Sequence, residues 1–186
     1  LRPEITSQEP VGTLIPEVDE GKCTGCGRCQ EVCAFNAIVV LGKSVLTFQE
    51  LCHGCGACAF FCPEDAITEV EREIGLIQSG NAGDIGFVDG ILNVGEAMAT
   101  PLIRAVKRRI DSSKLVIIDA PPGTSCPVIE SVKGSSYSIL VTEPTPFGLN
   151  DLVLAVEVLR KPPENLSFLV AHRLIPPAME FLARRE

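Results

Sequence analysis

Apolar positions change rhythm along the chain. From Leu1 to Pro16 they are scattered among prolines and polar residues without a sustained period, which predicts a partly exposed approach segment. Ala37 to Leu41 and Ser44 to Phe48 are short apolar runs separated by Gly42-Lys43, and they predict a small hairpin. Glu71 to Gly95 alternates and is punctuated by Gly75, Gly80, Gly83, Gly86 and Gly90, the pattern of a return connection made of irregular hairpins. Strand and helix then alternate. Thr100-Pro101 reads as an N-cap followed by proline at the first helical position, with Leu102, Ile103, Val106 and Ile110 at helical spacing. Lys107, Arg108 and Arg109 close that helix as a solvated end matched to its dipole. Leu115 to Ile118 and Ser138 to Val141 are continuous apolar runs, ending in Asp119 and in Thr142-Glu143, as expected of parallel strands covered on both faces. Thr145-Pro146 opens a second helix whose buried side is Leu149, Leu152, Val153, Val156 and Leu159. This half therefore predicts α/β architecture.

Eight of the nine cysteines change the picture of the first half. They fall in two copies of one spacing, Cys23-x2-Cys26-x2-Cys29-x3-Cys33 and Cys52-x2-Cys55-x2-Cys58-x3-Cys62. Such runs bind iron-sulfur cubanes, and where two occur the fourth cysteine of each ligates the other cluster. The expected sets are Cys23, Cys26, Cys29 and Cys62 for the first [4Fe-4S] cluster, and Cys52, Cys55, Cys58 and Cys33 for the second. Zinc knuckles are usually well-separated CxxC pairs, which a third cysteine two residues later crowds. Disulfides suit small secreted chains, and no signal-like segment is present. The offset between copies, 52 − 23 = 29, also carries Ala37-Ile38 onto Ala66-Ile67, so a local two-fold pseudo-symmetry is expected. Gly25, Gly27, Gly54 and Gly56 flank the ligands where the backbone must approach inorganic sulfur closely. Pro63 follows Cys62, but Ala34 takes that place after Cys33, so the local turn there is expected to differ.

The formal charge of −8 and the lack of an extended Lys/Arg run exclude nucleic-acid binding through a basic face. No apolar run approaches the ~20 residues that span a bilayer. A cytoplasmic protein with reduced, metal-bound cysteines is expected. A redox partner protein or a cluster acceptor is its expected partner, and a first residue of Leu implies a longer chain upstream.

Val116-Ile117-Ile118-Asp119-Ala120-Pro121-Pro122-Gly123-Thr124-Ser125-Cys126-Pro127, then Leu140-Val141-Thr142-Glu143-Pro144-Thr145-Pro146, together with Val94-Gly95-Glu96-Ala97-Met98 before Pro101, resemble the MinD/ParA-type P-loop ATPases that carry an inserted ferredoxin domain. The resemblance implies a P-loop NTPase-like parallel sheet with an inserted bacterial-type two-cluster ferredoxin (α+β) module. It divides the chain into a partial α/β domain, 1–17 and 71–186, and a ferredoxin-like insertion, 18–70. It further implies an ATP-dependent switch in electron transfer or metal-cluster assembly, with Asp119 holding magnesium through water, Gly123 sensing the terminal phosphate of ATP, and a dimer around nucleotide. A plain ferredoxin-type electron carrier, or an iron-sulfur scaffold, is the alternative without ATPase activity.

The family's glycine-rich phosphate loop is expected before Leu1. Ala37-x4-Gly42-Lys43-Ser44 mimics it, but its residues read as a strand with no helix after it. Beyond Lys161, Pro162-Pro163 breaks the helix, and the tail lacks the strand and asparagine expected around a nucleotide base. Cys126 reads as a small buried apolar residue behind the loop, or as a metal contact completed by a partner subunit. His53 lies in a cluster loop as an exposed ring able to modulate potential or as plain surface, and His172 has no constellation around it.

Overall fold

A computed structural model describes residues 2–143, 145–160 and 167–171, the last stretch by its backbone alone. It divides into two compact units, Leu1–Ile110 and Asp111–Glu186.

The first unit is built on long antiparallel strands. Strand β1 (Glu4–Val18) pairs along its length with β4 (Ile67–Ala82), which pairs with β5 (Ile85–Leu92) in the sheet order β1-β4-β5. The approach segment expected from Leu1 to Pro16 is thus a regular strand. Its prolines are accommodated because β1 is an edge strand, where a missing N–H need not break a ladder, and the register shifts at Ile5/Ser7 and Val11/Gly12 absorb its irregularities. The stretch from Glu71 is one continuous strand and a single tight return at Gly83, φ 61°, in place of several irregular hairpins. Helix α3 (Thr100–Lys107), which follows β5 in the chain, covers this sheet. Leu102 and Ala105 join Ile74 and Ile77 in a buried cluster flanked by Val11, Leu92 and Val106. The N-cap is Ala99, one residue before the expected Thr100. Arg109, just past the helix, is paired with Glu9 of β1.

Strands β2 (Ile38–Leu41) and β3 (Ser44–Thr47) form the expected hairpin, with Gly42 at φ 64°. The phosphate-loop mimic is therefore a strand and a turn. One-turn helices α1 (Arg28–Glu31) and α2 (Ala57–Phe60) complete the cysteine-bearing region, each entered through a left-handed glycine.

In the second unit, α4 (Cys126–Val132) precedes β6 (Tyr137–Val141), α5 (Pro146–Arg160) and β7 (Ser167–Ala171), and β6 pairs with β7 in parallel. Thr145 caps α5 as expected: its Oγ1 accepts from the Gly148 N–H at 3.0 Å. Leu152, Val156 and Leu159 are buried along that helix. Strand β7 corrects the expectation that the tail after Lys161 lacks a strand.

The P-loop NTPase-like parallel sheet is not the observed fold. The two sheets of the first unit are antiparallel, and parallel pairing among the described residues is confined to β6 and β7. Leu115 to Ile118 forms no strand: Leu115 and Ile117 are 93% and 88% exposed. A β-branched run becomes a strand only when a neighbour takes its backbone hydrogen bonds, and no described strand lies beside this one.

Candidate iron-sulfur centre

The 29-residue repeat is a structural two-fold. The hairpin pair Ile38↔Thr47 to Leu41↔Ser44 maps by the offset onto Ile67↔Val18 to Val70↔Ile15, the lower ends of β4 and β1. Each cysteine run is thereby held at the base of a two-stranded ladder. The left-handed glycines repeat as Gly25 and Gly54 (φ 72° and 60°) and as Gly27 and Gly56 (φ 80° and 70°). Gly25 and Gly54 are obligatory for packing as well as for dihedral angle. A methyl group at Gly25 would collide with the carbonyl oxygen of Gly42, and one at Gly54 would stand 2.9 Å from that of Leu14.

The turns after the last cysteine of each run also match. Ala37 N–H donates to Cys33 Sγ and Ala66 N–H to Cys62 Sγ, each at 3.3 Å, with Asn36 and Asp65 in the left-handed region at φ 53° and 48°. The turn at Ala34 is therefore the same as that at Pro63, against the expectation of a difference: an amide–sulfur bond and a left-handed residue define it without proline. Gly54 N–H donates to Cys52 Sγ at 3.5 Å.

Cys23, Cys26, Cys29 and Cys62 line one cavity, together with Thr24, Arg28, Val40, Val45 and Glu64. Among the described residues no three His, Cys, Asp or Glu side chains form a group fit for a single metal ion. Behind the cavity, Ile38 and Ile67 are buried with Cys29, against Cys33, Cys58 and Cys62. Burial pushes the Cys58 thiol up to about 11, and the neighbouring Cys52 and Cys55 add to the shift. Burial raises its two-fold mate Cys29 as well, with Cys23 and Cys26 contributing in the same direction. Thiols of this kind give up protons when they ligate metal.

Beside the second run, Arg72 of β4 forms a two-pronged ion pair with Glu96, one contact at 2.9 Å, and donates to the Gln49 carbonyl at 3.4 Å. The pair with Glu96 is the main reason its already high pKa rises further. It ties the loop before Cys52 to the connection after β5. This clamp was not visible in the chain, because the partners lie 23 and 24 residues apart with no motif between them. Phe35 lies flat against His53, with ring centroids 3.5 Å apart and planes 10° from parallel.

The other expected residues lie elsewhere. Asp119 and Gly123 are exposed in the second unit, in a stretch without regular structure, and Gly123 has open space where a side chain would stand. Cys126 is exposed at the start of α4, not buried behind the loop. His172 lies outside the described residues.

Comparison with known proteins agrees with the cysteine pattern. Residues 15–38 and 46–68 each match a family described as a 4Fe-4S binding domain. The chain carries two 4Fe-4S binding domains. It is 40% identical over 139 residues to the uncharacterized protein MJ0578 of Methanocaldococcus jannaschii, covering 74% of this chain and 49% of that protein. It is 28% identical over 149 residues to MJ0579 of the same organism, also uncharacterized, covering 79% of this chain and 53% of the relative. The chain thus spans about half the length of these relatives. A coenzyme F420-dependent sulfite reductase of that organism is 43% identical over 47 residues, 25% of this chain and 8% of the reductase.

These matches, with the antiparallel sheets, overturn the MinD/ParA resemblance. The family models that match describe 4Fe-4S binding domains and not a P-loop ATPase, and a magnesium–ATP site at Asp119 and Gly123 is unsupported. The dimer around nucleotide that the resemblance implied is not shown. No described helix is long and apolar enough to cross a membrane.

Proposed function

We propose that this chain is an electron-transfer module holding two [4Fe-4S] clusters within residues 18–70, one on Cys23, Cys26, Cys29 and Cys62 and the other on Cys33, Cys52, Cys55 and Cys58. The observation that carries this reading is the cavity in which Cys62, from the second run, meets three cysteines of the first. The two-fold repeat extends it to the other set. When bound, each cluster supplies a reversible electron-storing centre whose potential depends on hydrogen bonds to sulfur, charge and exposure.

The chain's own residues would serve that centre in three ways. The amides of Ala37 and Ala66 donate to ligand sulfur and stabilise negative charge there. Gly25 and Gly54 let the loops fold tightly against Gly42 and Leu14. Cys29 and Cys58, whose pKa values are raised by burial, release their protons on ligation, which links loading to proton loss. The partner is another redox protein or domain, a role in keeping with the short stretch shared with a sulfite reductase.

Anaerobic reconstitution with iron and sulfide tests the assignment. About eight irons and eight sulfides per chain are expected from two four-iron clusters. Cys62→Ser should perturb the same electron paramagnetic resonance species as Cys26→Ser, and Cys33→Ser the same species as Cys55→Ser. Zinc in place of iron, or Cys62 grouping with Cys55, would refute it.

A further inference from the structure

Because the repeat is a structural two-fold, the surroundings of the two sites can be compared position by position. Around the first site the exposed positions include Asp19, Lys22, Thr24, Glu31 and Glu64. Asp19 and Lys22 form an ion pair at 3.8 Å, and Arg28 and Glu31 another at 3.3 Å. The 29-residue offset carries these positions onto Phe48, Leu51, His53, Phe60 and, in the crossed direction, Phe35. All five are exposed, Phe60 to 83%, and Phe35 stacks on His53. Single exposed apolar residues need no explanation. Here four positions that are charged around one site are apolar around its copy, although backbone, glycines and cysteines are the same.

Resting on the two-cluster reading above, we infer that the face around the second site is the docking surface for a redox partner presenting an apolar patch ringed by basic side chains, while the first site stays hydrated. Charge selects this occupant over a second copy of the chain. Residues 17–69 hold eight acidic against three basic side chains. Glu50 precedes Leu51 on the aromatic face, and the Glu69 carboxylate lies within 3.1 Å of where a side chain on Gly56 would stand. Two such rims repel, whereas a basic rim is steered in and the aromatic centre then excludes water.

Cytochrome c, a basic redox protein with an apolar patch at its exposed haem edge, serves as the probe. Stopped-flow would measure its reduction by the reduced, iron-loaded protein at fixed ionic strength. The test variant Phe35→Glu with Phe60→Glu places on the second face the residues that occupy the first. The rate should fall at least about tenfold with iron content unchanged; the added negative charge lowers the cluster potential, which favours reduction of the probe and so does not account for a fall. Charge alone would speed the reaction with a basic partner, so a fall isolates the apolar contact. Asp19→Asn with Glu31→Gln, on the first face and outside the cavity lining, should change the rate by less than about threefold. If the double variant loses iron, Phe60→Glu alone decides, since that ring is 83% exposed. An unchanged or raised rate, or equal losses from both faces, overturns the inference. So does sedimentation showing a wild-type dimer that the variant dissociates. Absence of iron from the wild type would instead overturn the two-cluster reading.

Discussion

Gly25 and Gly27 lie in the same loop with nearly the same backbone angle, φ 72° and 80°, yet alanine should affect them very differently. A Cβ in the left-handed region costs about 1–2 kcal/mol. At Gly27 that is the whole cost, because nothing lies within 4 Å of the added methyl. At Gly25 the methyl meets the carbonyl oxygen of Gly42, backbone that moves only if the β2–β3 turn opens, and overpacking of this kind adds about 1–3 kcal/mol. Gly54 should lie between, its methyl standing 2.8 Å from Thr13 Oγ1 and 2.9 Å from the Leu14 oxygen. With tenfold per 1.4 kcal/mol, Gly27→Ala should speed opening of the loop about 5- to 30-fold, and Gly25→Ala about a further 5- to 100-fold. Chelator-driven bleaching of the visible iron-sulfur absorbance, measured anaerobically with chelator in excess, reads that opening. Iron loss from Gly27→Ala as fast as from Gly25→Ala would refute the proposed contact with the hairpin turn and, with it, the reason both runs need glycine there.

Two further predictions concern the sheet that carries the sites. Arg72→Ala leaves the Glu96 carboxylate, 8% exposed, without its partner and should cost about 3–5 kcal/mol in urea unfolding, most of it recovered in Arg72→Met with Glu96→Met; an equally unstable double variant would refute the burial argument. Leu102→Ala empties part of the cluster formed with Ile74 and Ile77 and should cost about 2–5 kcal/mol by the same measurement, whereas Val94→Ala, fully exposed, should stay within about 0.5 kcal/mol.

What could be read from the chain was what is local and repeated. The cysteine spacing, the glycines beside it, the hairpin at Gly42-Lys43 and the helices at Thr100 and Thr145 all express short-range chemistry, and each occurs in the structure at or within a residue or two of the expected place. What could not be read depends on partners distant in sequence. β1 carries two prolines, Pro10 and Pro16, and only its pairing with β4, from Val18↔Ile67 to Glu4↔Asn81, makes it a strand. Leu115 to Ile118 failed in the opposite direction: its composition suits a buried strand, but strand structure belongs to a pair, and no described strand pairs with it. The P-loop-like sheet and the nucleotide site both leaned on that run and the loop after it, so both lost support together, whereas the other apolar run of that half, Ser138 to Val141, lies within β6 and pairs in parallel with β7. Phe35 and His53 come from different cysteine runs, and neither residue type marks the stack in advance.

The crossed ladder explains why a duplication of this kind is a single folding unit. Were each 29-residue copy self-contained, its strands would pair within the copy. Instead, the β2–β3 hairpin joins the end of the first copy to the beginning of the second, and its two-fold image pairs β1, before the first copy's cysteines, with β4, after the second's. Ile38 and Ile67, the counterparts that seal the centre, lie in one cluster with cysteines from both runs. The proposed ligand exchange between runs repeats in metal–sulfur bonds what the strands do in hydrogen bonds, so each half supplies what the other lacks. That shared closure leaves the exposed rim positions free to diverge without disturbing the ligands. It is why one site can carry ion pairs and the other an aromatic face on the same backbone.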